Sequence, residues 1–127
     1  MTIDSIDLQN TLGGFTGTER WYRTINRSVT YTDGVKYFAD KAGSHWLLDI
    51  LATELPPFVR EHGMVFASAT RKEGERGCLL SCVRDTGDPP LWSRKIELTD
   101  LPVGEWPLWL GEGGPEGTTV IMLPSEY

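Results

Sequence analysis

His45 and Asp49 are the two residues whose types and spacing come closest to a catalytic arrangement. They stand at positions i and i+4 of a segment with a helical pattern, so their side chains can meet on one helix face. A carboxylate that orients a histidine in this way can make it a general base. No nucleophile accompanies the pair, because Ser44 is better explained as a helix cap. We therefore favour a polar stripe on a helix surface and keep a small enzyme using His45 and Asp49 as an alternative.

The cysteines are the other residues with potential chemistry. Cys78 and Cys82 would face the same side of a β-strand about 13 Å apart, whereas a disulfide requires Cα atoms within about 7 Å. Both lie in an apolar run, where burial raises the pKa of a thiol and makes it a poor nucleophile. The only histidines, His45 and His62, form neither an H-E-x-x-H helix nor a zinc-ligand spacing with the cysteines. The sequence predicts buried, reduced thiols, and neither a catalytic cysteine, a metal site nor a cofactor.

The acidic residues are concentrated near the end of the chain. The formal net charge is −6, from 12 Lys and Arg against 18 Asp and Glu, and residues 97–127 contain no Lys or Arg. Aromatic side chains lie among these acids, a combination that favours a contact surface for a protein with a basic surface. A solvated sheet edge is the alternative interpretation. The predicted partner-binding residues are Glu97, Asp100, Glu105, Trp106, Trp109, Glu112, Glu116, Glu126 and Tyr127.

Composition excludes several classes of function. The acidic balance argues against direct binding of nucleic acid through a basic face. No apolar run approaches the roughly 18–20 residues that span a bilayer, so no membrane segment is expected. The first residues, Met1–Asp4, lack the basic and apolar regions of a signal peptide, which favours a cytoplasmic protein. A length of 127 residues is typical of one domain, here 1–127.

Two main helices and one short helix are predicted in the first half of the chain. Thr32 and Asp33 form a helix start, apolar residues follow at helical spacing, and Gly43 suits a left-handed helix end. A second helix follows from Ser44, is apolar nearly all round, and stops at Pro56–Pro57. Thr16 and Glu19 have the spacing of a capping box, which predicts a short helix over about 18–24.

Strands are predicted in the second half. Turn-forming residues separate extended segments at 64–70, 78–84, 91–98, 106–110 and 118–123. Helices followed by a run of strands indicate an α+β fold. We expect two central helices packed on an antiparallel sheet of about five strands, connected as a meander.

Several sequence blocks resemble one bacterial family of unknown function, whose members occur in genomes, plasmids and phages. The blocks are FTGTERWYR at 15–23, TDGVKY at 32–37, WLLD at 46–49, TDLP at 99–102 and LPSEY at 123–127. The resemblance carries no known activity. It implies a context of mobile elements, whose small acidic proteins often bind and inhibit host proteins, including defence nucleases such as CRISPR effectors.

The expected function is therefore a non-enzymatic protein-binding module that uses the acidic C-terminal surface. An anti-defence inhibitor of the anti-CRISPR kind is its more specific form. Besides the small enzyme already named, a structural homodimer remains an alternative, in which exposed edge strands of two copies would pair.

Overall fold

The computed structural model describes residues 5–127, so the prediction made for Met1–Asp4 lies outside the described residues. Four helices and seven strands follow one another along the chain. They are α1 (Ser5–Leu12), β1 (Tyr22–Arg23), β2 (Val29–Tyr31), α2 (Asp33–Ala42), α3 (His45–Glu54), α4 (Pro56–His62), β3 (Met64–Arg71), β4 (Cys78–Val83), β5 (Trp92–Ile96), β6 (Gly104–Gly111) and β7 (Thr119–Met122). No helix in residues 5–127 is long and apolar enough to cross a membrane.

The strands form one mixed sheet in the order β1-β2-β7-β6-β3-β4-β5. The α+β class is confirmed, but the prediction of an antiparallel meander of about five strands is wrong. β2 and β7 pair in parallel, and β6 pairs with β3 instead of with β5. The β3–β6 ladder runs from Met64 opposite Gly111 to Arg71 opposite Gly104. This register places the inward side chains of β6 beside those of β3, so both strands contribute to the centre of the core.

Both predicted main helices form, but the predicted cap at Ser44 is wrong, because its hydroxyl makes no capping hydrogen bond at the start of α3. The Thr32 hydroxyl accepts a hydrogen bond from the Val35 amide, and Gly43 ends α2 with a left-handed φ of 63°. Pro56 and Pro57 end α3 as predicted. They also occupy the first turn of α4, where the missing amide hydrogen of proline is tolerated, so a third helix covers the sheet beside the two expected ones.

The predicted short helix over 18–24 does not form. The Thr18 hydroxyl accepts a hydrogen bond from the Asp33 amide at 2.9 Å, and the Glu19 amide donates to the Asp33 carboxylate at 2.9 Å. The hydrogen bond from the Glu19 amide is the largest cause of the lowered pKa of Asp33. The polar groups of this segment thus bind the start of α2, and the chain continues as the extended strand β1. The first described residues form α1, a helix of two turns.

The hydrophobic core lies between the helices and one face of the sheet. The helices contribute residues such as Leu8, Phe38, Leu48, Leu51 and Val59, all 2% exposed or less. The inward side chains of β3, β4 and β6 complete the core from the sheet side. One face of the sheet therefore packs against the helices, and the opposite face keeps contact with solvent.

Candidate functional site

The side of the sheet that faces away from the core is its most distinctive surface. Along β3 the burial alternates, so that Val65 and Ala67 are buried while Met64 and Phe66 keep contact with solvent. The same alternation continues along β4 and β6. Within residues 5–127, the outward side chains of these strands are half-buried or exposed, apart from Val120 of β7, which is buried. We call the outward side of β7, β6, β3, β4 and β5 the open face.

Strand register orders the open face into three rows that run across the strands. The first row is Glu105, Thr70, Leu79 and Lys95; the second is Pro107, Ser68, Ser81 and Ser93; the third is Met122, Trp109, Phe66 and Val83. The first row thus has a negative charge, Glu105, at one end and a positive charge, Lys95, at the other. The second is small and mostly polar, and the third is apolar.

Three rings form a cluster at the apolar end of the open face. Phe66 and Trp109 meet edge to face with their centroids 4.9 Å apart, and Trp109 contacts Tyr127 at 5.7 Å in a similar geometry. Tyr127 is 80% exposed. Tryptophan and tyrosine are the residues most enriched at the energetic centres of protein interfaces. Because the rings hold one another in place, less side-chain entropy is lost when a partner covers them.

The predicted acidic contact residues do not form a single surface. Glu105 is the only one of these acids that lies on the open face, which it shares with Trp109 and Tyr127. Glu112 is exposed directly after the end of β6. Glu97 and Asp100 lie in the exposed connection that leaves β5. Glu116 forms an ion pair of 2.6 Å with Arg23 of β1. Since β1 and β5 are the two outermost strands of seven, about 29 Å separates the two edges of the sheet.

Trp106 is not a surface residue, contrary to its place among the predicted contacts. It is 2% exposed, packs against Phe38 with ring centroids 5.6 Å apart, and its indole donates a hydrogen bond to the Pro102 carbonyl at 2.8 Å. Strand alternation explains the error, because Trp106 and Trp109 are separated by an odd number of positions and so point to opposite faces.

Glu126, another predicted contact residue, forms hydrogen bonds within the protein itself. Its carboxylate accepts hydrogen bonds from the Thr32 hydroxyl at 2.5 Å, the Gly34 amide at 3.1 Å and the Leu123 amide at 3.0 Å. A Cβ atom on Gly34 would lie 2.6 Å from a Leu123 methyl and 2.8 Å from this carboxylate, so a larger residue there would displace both side chains. We call these contacts the Glu126 clasp. The clasp joins the TDGVKY block to the LPSEY block and gives both a structural role.

The predicted His45–Asp49 pair is absent, because His45 turns to a different carboxylate. His45 Nε2 lies 2.7 Å from Asp40 Oδ1 near the end of α2, while the other Asp40 oxygen accepts from Lys36 Nζ at 2.6 Å. These two hydrogen bonds, the one from Lys36 first, lower the pKa of Asp40. His45 and Asp40 are both about half exposed. Water screens such a pair, so its geometry provides little of the tuning that a catalytic base needs.

Both cysteines are buried and free, as predicted. They point from β4 into the core, and burial raises the pKa of Cys82 to about 11 and also raises that of Cys78. At neutral pH both remain thiols, which are poor nucleophiles. In the described part of the chain, no group of three or more His, Cys, Asp or Glu side chains is arranged to hold a metal ion.

An apolar cavity of about 240 Å³ lies beside β6, where β7 pairs with only the last three residues of that strand. Leu12 of α1, Phe38 of α2, Leu108 and Leu123 line it. This volume is below the roughly 300–1,000 Å³ of most small-molecule sites. The cavity has room for a side chain or a small ring, and its walls offer few groups that could orient a substrate.

Sequence reasoning missed the four residues that make the open face apolar beside Trp109. These are Met64, Phe66, Val83 and Met122. The signal that could have found them is the alternation along β3, where both the inward and the outward positions begin with apolar residues. A strand that is apolar on both sides, in a sheet with helices on one side only, indicates an exposed apolar patch.

Comparisons with known proteins identify a family for the chain but no activity. The model of a family of unknown function, DUF6876, matches residues 6–127. Comparison with curated proteins and with solved structures finds no match. The match covers all described helices and strands apart from Ser5, the first residue of α1, and includes the open face and the Glu126 clasp.

Proposed function

We propose that this chain, which belongs to the DUF6876 family of unknown function, is a protein-binding module without catalytic activity. Its contact surface is the open face of the sheet. The observation that carries the proposal is the cluster of Phe66, Trp109 and Tyr127 on a sheet face that keeps contact with solvent. Monomeric proteins seldom expose contiguous apolar surface of this kind unless something binds there.

The charges near this cluster favour a partner with basic groups. Glu105 lies on the same strand as Trp109, and Glu112 follows that strand directly. Both are exposed, and neither forms an ion pair with a residue in the range 5–127. Acidic side chains at the rim of an apolar centre favour a partner whose facing surface carries basic side chains. An anti-defence inhibitor is the more specific form of this function, in which the partner is a basic defence nuclease.

The strand edges are less suited to binding than the face. β1 has only two residues, and β5 carries Arg94 and Lys95, a pattern that discourages pairing with another strand. The enzyme alternative has less support, since His45 and Asp40 form an exposed pair next to Lys36.

Site-specific photo-crosslinking tests the proposal. A photoreactive amino acid at Thr70 or Ser81 samples the open face, whereas the same group at Ile25 or Glu61 samples exposed positions elsewhere. In a lysate of cells that encode the chain, we expect discrete adducts from the open-face positions only. Trp109→Ala in the same chains should abolish them. Equal labelling from all four positions, or labelling that Trp109→Ala leaves unchanged, would contradict the proposal.

A further inference from the structure

Two opposite charges on the open face have no ion-pair partner within the described chain. Glu105 of β6 and Lys95 of β5 are both exposed and stand at the two ends of the first row. Three strand spacings, about 14 Å, separate them, which is too far for a direct contact. Arg94, the neighbour of Lys95, forms its ion pair with Glu54 of α3 on the core side of the sheet. Lys95 therefore projects from the open face with nothing opposite it.

A second copy of the chain supplies what each of these charges lacks. A two-fold axis can relate two such copies whose open faces face each other. The axis runs parallel to the strands, lies midway between the two sheets, and passes over the gap between β3 and β4. This operation places β6 of one copy over β5 of the other and keeps every row facing itself. Glu105 then lies opposite Lys95 of the second copy, and the symmetry repeats this contact on the other side. From the register and this symmetry, we infer that two copies of the chain pack open face against open face.

The other two rows fit the same arrangement. In the third row, Phe66 of one copy lies opposite Val83 of the other, so apolar side chains meet. In the second row, Ser68 and Ser81 are small, and their hydroxyl oxygens lie 3.4 Å apart. A row of small side chains lets the centres of two sheets approach to the spacing of about 10 Å that is usual in β-sandwiches.

The size of the open face also suits a dimer. Its five strands are four strand spacings, about 19 Å, across, and its first and third rows lie about 13 Å apart along the strands. The two-fold arrangement covers four of these strands, β6, β3, β4 and β5, a projected area of roughly 400 Å² per copy, which predicts a weak dimer that forms as the concentration rises. This inference rests on the proposed function, because it names the occupant of the proposed contact surface.

Sedimentation equilibrium with charge-swap variants tests the inference. Over concentrations from about 1 to about 200 μM, the unaltered chain should form dimers. Glu105→Lys and Lys95→Glu alone should each weaken the dimer about tenfold, because each places like charges face to face twice. The double variant restores opposite charges and should return the dissociation constant to within about threefold of the original. Tyr127→Ala, at an exposed ring, should also weaken the dimer.

Two further variants control for net charge. Glu61→Lys on α4 and Lys41→Glu on α2 change the same charges in the helix layer, and neither should alter association. A dissociation constant that no open-face variant changes would overturn the inference. So would a double variant whose dissociation constant stays as weak as that of the single variants. A monomer at every concentration would also overturn it. Photo-crosslinking then shows whether a different protein occupies the open face, in which case the proposed function stands without the second copy.

Discussion

Removal of the Glu126 carboxylate should destabilise the protein although Glu126 is not part of the proposed contact surface. The carboxylate accepts three hydrogen bonds, and two of its donors, Thr32 and Gly34, belong to the start of α2. Hydrogen bonds to charged groups contribute about 1.5–3 kcal/mol when they are shielded from water. An acidic group at a helix start contributes about 0.3–1 kcal/mol more. Glu126 is only partly buried, so water replaces part of this network when the carboxylate is removed.

We therefore expect Glu126→Ala to lower the free energy of unfolding by about 2–3 kcal/mol, and Glu126→Gln by about 1 kcal/mol. Urea unfolding followed by circular dichroism measures both. Glu112→Ala removes an exposed carboxylate and should change stability by less than about 0.5 kcal/mol. A double-mutant cycle with Thr32→Val should show a coupling of about 1 kcal/mol. If Glu126→Ala matches Glu112→Ala, the clasp does not hold the start of α2 and this reasoning is refuted.

Three other substitutions or conditions have expected outcomes. Ser44 is fully buried and its hydroxyl has no hydrogen-bond partner within residues 5–127. Ser44→Ala should therefore leave the free energy of unfolding in urea unchanged or raise it by up to about 1 kcal/mol. A loss of more than about 1 kcal/mol would show that the hydroxyl is hydrogen-bonded. Cys82 is fully buried and its pKa is raised from 9.0 to about 11, so a thiol reagent at pH 8 should label it only after unfolding. Because the unfolded chain loses this proton at a lower pH than the folded one, stability should fall as pH rises from 9 towards 11, whereas a flat stability profile there would contradict burial. His45→Ala should lower stability by less than about 1 kcal/mol, as measured by thermal unfolding, since the contact with Asp40 is half exposed; a larger loss would show a more buried pair.

The parts of the fold that sequence predicted correctly depend on local signals. The ends of α2 are an example, because Thr32 and Gly43 satisfy backbone groups within a few residues of themselves. The capping-box pattern at Thr16 and Glu19 failed for the opposite reason. The Glu19 amide bonds to Asp33, a residue 14 positions away, so a tertiary contact took the place of the local helix.

The order of the strands depends on contacts between distant parts of the chain. β2 pairs with β7 across about 90 residues, and nothing in either segment specifies a parallel neighbour. β6 pairs with β3 because its inward residues, Trp106 and Leu108, complete the core next to α2. Turn patterns identify where strands begin and end, but they do not determine which strand lies beside which.

The candidate site was predictable only in part. The aromatic residues Trp109 and Tyr127 were identified as contact residues, and both lie on the open face. The acids were expected together because they are close in sequence. Strand alternation and the distance across the sheet separate Glu97 from Glu116, and the clasp withdraws Glu126 from the surface.

Hydroxyl-radical footprinting measures most directly whether the open face is the binding surface. Met64 and Met122 lie on the open face and oxidise readily, while Trp21 is a reactive residue elsewhere on the surface, 44% exposed. The chain is oxidised alone at low concentration, and again with its partner, either concentrated chain or native lysate. The proposed function predicts that Met64, Met122 and Tyr127 become protected while Trp21 does not. Unchanged oxidation of these three residues when a partner is bound would contradict it.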